Sequence, residues 1–192
     1  MTFDLIREIL GFVIGLLYLW WEYHANPKVW LAALVMPAIS MWIYYSKGLY
    51  ADFAINIYYL LIAVYGFIVW TRGGEKKDKP KKRITRITMA QLAGCSLVSV
   101  ALWVLIWWIL ITFTDSTVPV ADAFTTALSI VGLWMMAQKI AEQWLVWLVV
   151  DIVCTGLYFY KDIPFYAILY FIYSVVSVVG YRKWLQIMKG AD

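Results

Sequence analysis

Thr88–Phe113, TMAQLAGCSLVSVALWVLIWWILITF, runs through the middle of the chain without a single Asp, Glu, Lys or Arg. Roughly 20 apolar residues in a helix cross the hydrocarbon core of a bilayer. A helix is the natural form for such a run, because lipid offers no partner to an unpaired backbone group. Outward from it lie comparable apolar segments near Ile9–Tyr23, Val29–Tyr45, Tyr50–Trp70, Val120–Ala137, Gln143–Tyr160 and Phe165–Trp184. The composition agrees: 64% of the 192 residues are hydrophobic and 15% charged, with a mean hydropathy of +0.76. A soluble domain carries about 45–50% apolar and about 25% charged residues. Twelve Trp and fourteen Tyr suit the membrane–water interface, where amphipathic rings collect. The fold class expected is an all-α membrane protein of seven transmembrane helices, with little chain left for a soluble domain.

Several function classes are disfavoured by what the chain holds. Cys95 and Cys154 both sit in apolar runs and read as small packing residues, not a disulfide. A single histidine, His24, gives no metal-ligand spacing. There is no GxxxxGK[ST] and no GxGxxG, hence no recognisable ATP or dinucleotide module, and no cofactor is expected. The net charge of +4 does not read as a nucleic-acid footprint, because the basic residues gather beside helix ends. The N-terminal MTFDLIREILGF reads as the start of the first helix and not as a signal peptide.

Turn chemistry punctuates the spans. Pro27, Pro119 and Pro164 stand at helix starts, where a missing N–H costs nothing. Lys47-Gly48 and Lys161-Asp162 make connections of a few residues, which force antiparallel neighbours. The long connection is Thr71–Arg86, TRGGEKKDKPKKRITR. Its eight basic residues should face the cytoplasm under the positive-inside rule. Lys28, Lys139, Arg182, Lys183 and Lys189 fall on that same side, which leaves only Arg7, Lys47 and Lys161 opposite. The expected orientation is N-terminus outside and C-terminus cytoplasmic, in a bacterial inner membrane.

An offset of 114 residues aligns the chain with itself. Trp20 meets Trp134, Trp30 meets Trp144, Tyr44 meets Tyr158, Lys47 meets Lys161, Tyr59 meets Tyr173, Gly66 meets Gly180, and Trp70 meets Trp184; Glu8 falls on Asp122. A three-helix unit in residues 1–71 therefore recurs in 116–192. Between them lie a basic cytoplasmic loop at 72–87 and a linker transmembrane helix at 88–115. Two copies in the same orientation need one extra crossing, and the linker helix supplies it. The resulting 3+1+3 plan of parallel repeats is like that of SWEET-type sugar transporters, in which the solute path lies at the repeat interface near the midplane.

Ionisable residues inside a span are costly and so point to function. Asp151 lies near the middle of the sixth span, and its repeat partner is Pro37, which frees a carbonyl and kinks the helix. Trp144 and Trp147 stand seven and four residues before Asp151, on one helical face. Two flat rings beside a carboxylate suit a flat cationic heteroaromatic solute. Trp144 also reads as an interfacial belt residue, and Asp151 as a structural partner to a buried hydroxyl. Asn56, deep in the third span, is a further lining candidate. Glu142, Gln143, Gln138 and His24 read as solvated positions at the inner surface.

Gln138–Trp184 resembles the signature half of the PnuC family of bacterial vitamin transporters. The shared pattern is a W-x-x-W followed four residues on by an Asn, then a Leu-Tyr, a short Lys-containing turn and a closing Gly-Tyr-x-x-Trp. Trp144, Trp147, Leu157, Tyr158, Lys161, Gly180, Tyr181 and Trp184 match it. The resemblance implies facilitated diffusion of an unphosphorylated vitamin or precursor, trapped afterwards by a cytosolic kinase. The substrate-binding candidates are then Trp144, Trp147, Asp151, Asn56, Tyr158 and Gln143, with Pro37 as a helix kink at the pathway. Asp151 departs from the family's Asn. An amide pairs with both the donor and the acceptor of a nicotinamide carboxamide, whereas an ionised carboxylate only accepts. Nicotinamide riboside is the family's default substrate, and thiamine, also cationic, suits a carboxylate at least as well; the first half of the chain is similar to the thiamine-transporting PnuT branch. The expected partners are that vitamin, the lipid bilayer and the kinase, with a homo-oligomer compatible with the sequence and no nucleic acid. Two other classes remain: a non-transporting membrane scaffold, and an enzyme using Asp151 or Glu142 as a general base. No second catalytic group stands at a useful spacing for the enzyme.

Overall fold

The computed structural model describes residues 14–46, 50–71, 82–162 and 164–190. They form seven helices: α1 over 14–23, α2 Lys28–Ser46, α3 Tyr50–Thr71, α4 Met89–Phe113, α5 Pro119–Ala137, α6 Gln143–Tyr160 and α7 Pro164–Met188. Three of them, α4, α5 and α6, are long and apolar enough to cross a membrane, and Ile55–Thr71 is a shorter apolar stretch of the same kind. At 1.5 Å per residue α4 spans about 37 Å, more than the roughly 30 Å hydrocarbon core. The chain divides into two units, Met1–Arg83 and Ile84–Asp192. The start of the first span, the Lys47-Gly48 turn, the repeat pair Glu8–Asp122 at its Glu8 end, and the centre of the basic loop lie outside the described residues.

In the first unit α2 packs against α3. The α1–α2 turn closes as a helix C-cap. His24 N bonds Trp20 O at 3.2 Å, Ala25 N bonds Glu22 O at 2.9 Å and Asn26 N bonds Trp21 O at 2.8 Å. Ala25 takes a left-handed φ of 49°, the conformation with which helices commonly end. The Asn26 side chain then accepts from Lys28 N at 3.0 Å, starting α2 with Pro27 beside it, as its position predicts. Pro37 lies inside α2, which continues through it.

The second unit is a chain of neighbours, with α4 on α5, α5 on α6 and α6 on α7. A capping box starts α4: Gln91 N donates to Thr88 Oγ1 while the Gln91 side chain accepts from Thr88 N. No residue of α4 is buried. It meets α5 through Cys95 and Leu102, which pack against the buried Val131, Met135 and Ile140. Trp103 anchors its C-terminal half, donating from Nε1 to Val120 O at 3.0 Å and setting its ring edge-on to Phe124. Cys95 and Cys154 are both free thiols. Pro119 and Pro164 open α5 and α7 as their positions predict.

Two local arrangements recur at the offset of 114. In the α5–α6 turn Gln138 N bonds Trp134 O at 3.0 Å, Lys139 N bonds Met136 O at 2.9 Å and Ile140 N bonds Met135 O at 3.0 Å. Each bond stands 114 residues after its counterpart in the α1–α2 turn, and Lys139, the counterpart of Ala25, has a φ of 55°. The second arrangement joins helices. Trp30 of α2 lies on Gly66 of α3 and meets Trp70 edge-on at 5.6 Å and 90°; Trp144 of α6 lies on Gly180 of α7 and meets Trp184 edge-on at 5.9 Å and 88°. All four tryptophans are almost fully buried, and glycine is required opposite each wedge because a Cβ would overlap the indole.

Candidate functional site

Asp151 is the central candidate residue in the second unit. It is 5% exposed, midway along α6. Ser177 of α7, itself buried, donates from Oγ to Asp151 Oδ2 at 3.2 Å. The hydroxyl partner foreseen as one reading of Asp151 is therefore present. No Lys, Arg or His forms an ion pair with this carboxylate among the described residues. One turn on, Thr155 returns its hydroxyl to the Asp151 carbonyl at 2.7 Å. Beyond it lies an aromatic group in which Tyr158 stacks on Tyr170 at 5.2 Å and Tyr170 meets Tyr173 edge-on at 5.8 Å.

The two tryptophans before Asp151 separate. Trp144, at 2% exposure, turns to α7 and fills the space over Gly180. It is not an interfacial belt residue, and its ring is occupied in packing. Trp147 is half-buried and turns to α5, where a Cβ on Gly132 would stand 3.5 Å from its Cε2. Three residues along a helix advance about 300° of azimuth, so the shared face implied by spacing is wide enough to reach two different neighbours. Asn56 on α3 and Pro37 on α2 are both buried, and both belong to the first unit. An open groove of about 340 Å³ along α6 and α7 has aliphatic walls, among them Leu148, Ile152 and Val175, and holds none of the candidate residues.

At the other end of α6 the polar residues are not solvated as the sequence suggests. Gln143 is fully buried, and Glu142 is bonded from two directions. Its Oε1 accepts from the Arg86 guanidinium, and its Oε2 accepts from Ile87 N at 2.9 Å. Thr85 N bonds Lys139 O at 3.0 Å and Ala141 N bonds Thr85 O at 2.9 Å, a one-residue parallel bridge. This clamp ties the segment leading into α4 to the α5–α6 turn. Glu142 holds the exposed Arg86 guanidinium above its ordinary range, through the hydrogen bond first and charge second. The pairing spans 56 residues, and no spacing rule reveals it. His24 is exposed, as expected, and its Nδ1 lies 2.8 Å from Trp20 O. We expect Glu142→Ala to free this clamp. The readout is faster hydrogen exchange at Ile87 N and Ala141 N, with the amides of mid-α6 unchanged; unchanged exchange at both would mean that the bridge holds without the carboxylate.

Seven helices, three of them long and apolar enough to cross a membrane, with a buried carboxylate between α6 and α7, are the features of an all-α integral membrane protein. The sequence profile of the family described as nicotinamide mononucleotide transporter matches residues 5–186. The chain belongs to this family, whose PnuC-type members are vitamin transporters. It is 25% identical to the nicotinamide riboside transporter PnuC of Neisseria mucosa, over 92% of this chain and 71% of that one. It is 24% identical to the riboflavin/roseoflavin transporter RibM of Streptomyces davaonensis, over 92% of this chain and 83% of the other. The crystal structure of the vitamin B3 transporter PnuC has the same fold, with a TM-score of 0.69 at 24% identity, covering 95% of this chain and 81% of that one.

Proposed function

We propose that this transporter takes up a cationic vitamin or vitamin precursor, thiamine or nicotinamide riboside, by facilitated diffusion, with Asp151 as its counter-charge. The observation that carries the reading is a buried carboxylate in a span with a serine hydroxyl and, among the described residues, no cation paired with it. Burying such a group costs several kcal/mol unless something compensates it, and a cationic solute does so. The same charge repels a phosphorylated vitamin and gives nothing to the neutral flavin that the name of RibM records. Trp147 and Tyr158 supply rings on either side of Asp151 along α6, with Gln143 at the start of that helix; Asn56, buried on α3 of the first unit, is a further lining candidate. Trp144 acts by holding α6 against Gly180. Trapping falls to a cytosolic kinase, and neither catalysis by this chain nor a fixed oligomer is part of the reading.

The architecture that goes with it is 3+1+3, with parallel repeats at residues 1–71 and 116–192, the basic loop at 72–87, and the linker helix at 88–115. The recurrence of the Trp–Gly–Trp wedge and of the left-handed turn at the offset of 114 supports the repeat. The charge asymmetry of the loops supports N-out, C-in topology in a bacterial inner membrane. A membrane-impermeant thiol label on a cysteine added at residue 192 should react only after the cells are opened; reaction in intact cells would reverse the topology.

Asp151→Asn tests the substrate reading. The amide regains a donor for the nicotinamide carboxamide and loses the charge. Competition against thiamine uptake should shift toward nicotinamide riboside by about tenfold, the size of one hydrogen bond to a charged group. An unchanged ratio would mean that the carboxylate does not read the substrate.

A further inference from the structure

Serine and threonine hydroxyls in a membrane helix ordinarily bond back to their own chain, and here they do so repeatedly. Thr125, Thr126, Ser129, Thr155 and Ser174 each donate to the carbonyl four residues earlier, at 2.7 to 3.1 Å. Ser177 departs from that habit. It leaves its own helix and gives its proton to Asp151 Oδ2 across the α6–α7 interface, at 3.2 Å and with both side chains buried. Asp151 Oδ1 accepts nothing among the described residues.

The first unit shows whether the helix pair needs this bond. At the positions 114 residues earlier stand Pro37 and Ala63, both buried, on α2 and α3. These two helices pack around the same Trp–Gly wedge as α6 and α7. A proline and an alanine thus serve the packing of one pair where a carboxylate and a hydroxyl stand in the other. The polar pair is dispensable for bringing the helices together, and burying it costs free energy that an apolar pair would not.

We propose that Ser177 is a positioning residue for substrate recognition. Its hydroxyl occupies Oδ2, locks the carboxylate in one rotamer, and leaves Oδ1 as the oxygen offered to the cationic or amino group of the solute. A hydroxyl that can donate and accept also tolerates an amide at 151, so this one position serves either substrate chemistry. The proposal rests on Asp151 as the counter-charge for a cationic vitamin.

The test is a double-mutant cycle on detergent-solubilised protein, with thiamine and nicotinamide riboside affinities measured by calorimetry up to millimolar ligand. Ser177→Ala should weaken the preferred vitamin by about tenfold while melting with the wild type, since Ala63 already occupies the equivalent place. Ser177→Thr, which keeps the hydroxyl, should restore affinity to within about threefold. In the Asp151→Ala background, Ser177→Ala should change affinity by less than about twofold, because nothing is left to position. A tenfold loss that persists without Asp151 would overturn the inference and leave the counter-charge reading standing. An Asp151→Ala single variant that binds both vitamins like the wild type would overturn the reading itself, and the inference with it.

Discussion

Substituting alanine for Gly180 is expected to destabilise the protein by about 1–3 kcal/mol, the usual cost of forcing a methyl into a filled interface. A Cβ at this position would stand 2.7 Å from Trp144 Cε2 and Cζ2, well inside van der Waals contact. The indole has no room to retreat, because it is almost fully buried and its ring meets Trp184 edge-on. In a membrane small residues let helices approach closely enough for dispersion to hold them, and the Trp144–Gly180 contact has that form. Gly66→Ala should cost a similar amount against Trp30. Thermal unfolding in detergent measures both losses. A second change, Trp144→Phe, removes the ring atoms that clash and should recover part of the Gly180→Ala loss. Unchanged melting in Gly180→Ala would mean that the tryptophan is free to turn aside, and the wedge would then be no part of what holds α6 to α7.

Asp151→Ala is the second large effect, and its sign differs between function and stability. Truncating one partner of a buried charge pair costs at least about 2 kcal/mol, so uptake of a cationic vitamin should fall at least about thirtyfold. Stability should not fall with it. The variant loses a hydrogen bond from Ser177 but is relieved of a buried carboxylate that no protein cation offsets among the described residues. A scaffold residue would show the reverse, a lower melting temperature with transport retained. Thermal melting and initial uptake rates on the same preparation separate the two.

Periodicity and composition were enough to mark seven helices, and the starts at Pro27, Pro119 and Pro164 follow from the fixed φ of proline. The offset of 114 carried more than an outline. It paired Trp30 with Trp144, Gly66 with Gly180 and Trp70 with Trp184, and these six residues build the two wedges. That the glycines are the seats of the tryptophans was not legible, because identity at an offset does not say which residues touch. The site was legible in part for the same reason. Spacing along one helix brought Trp144, Trp147 and Asp151 to a shared side, but the direction in which each finds a neighbour depends on α5 and α7. Hence Trp144 became a packing residue. Ser177 carries no signal of its own in the sequence, because a serine in an apolar helix ordinarily serves close packing, and only the geometry of its hydroxyl distinguishes it from Ser174 three residues earlier. The clamp of Glu142 on Arg86 and Ile87 joins residues more than 50 positions apart, beyond the reach of any local pattern.

The most direct measurement is uptake of labelled thiamine and nicotinamide riboside into proteoliposomes that hold the purified protein and no energy source. The expected result is protein-dependent uptake of at least one of the two, stopping when the inside concentration equals the outside, with unlabelled riboflavin a poor competitor. Trapping inside the vesicle by an added vitamin kinase and ATP should then drive accumulation past that level. Entry of neither vitamin above protein-free liposomes would contradict the account.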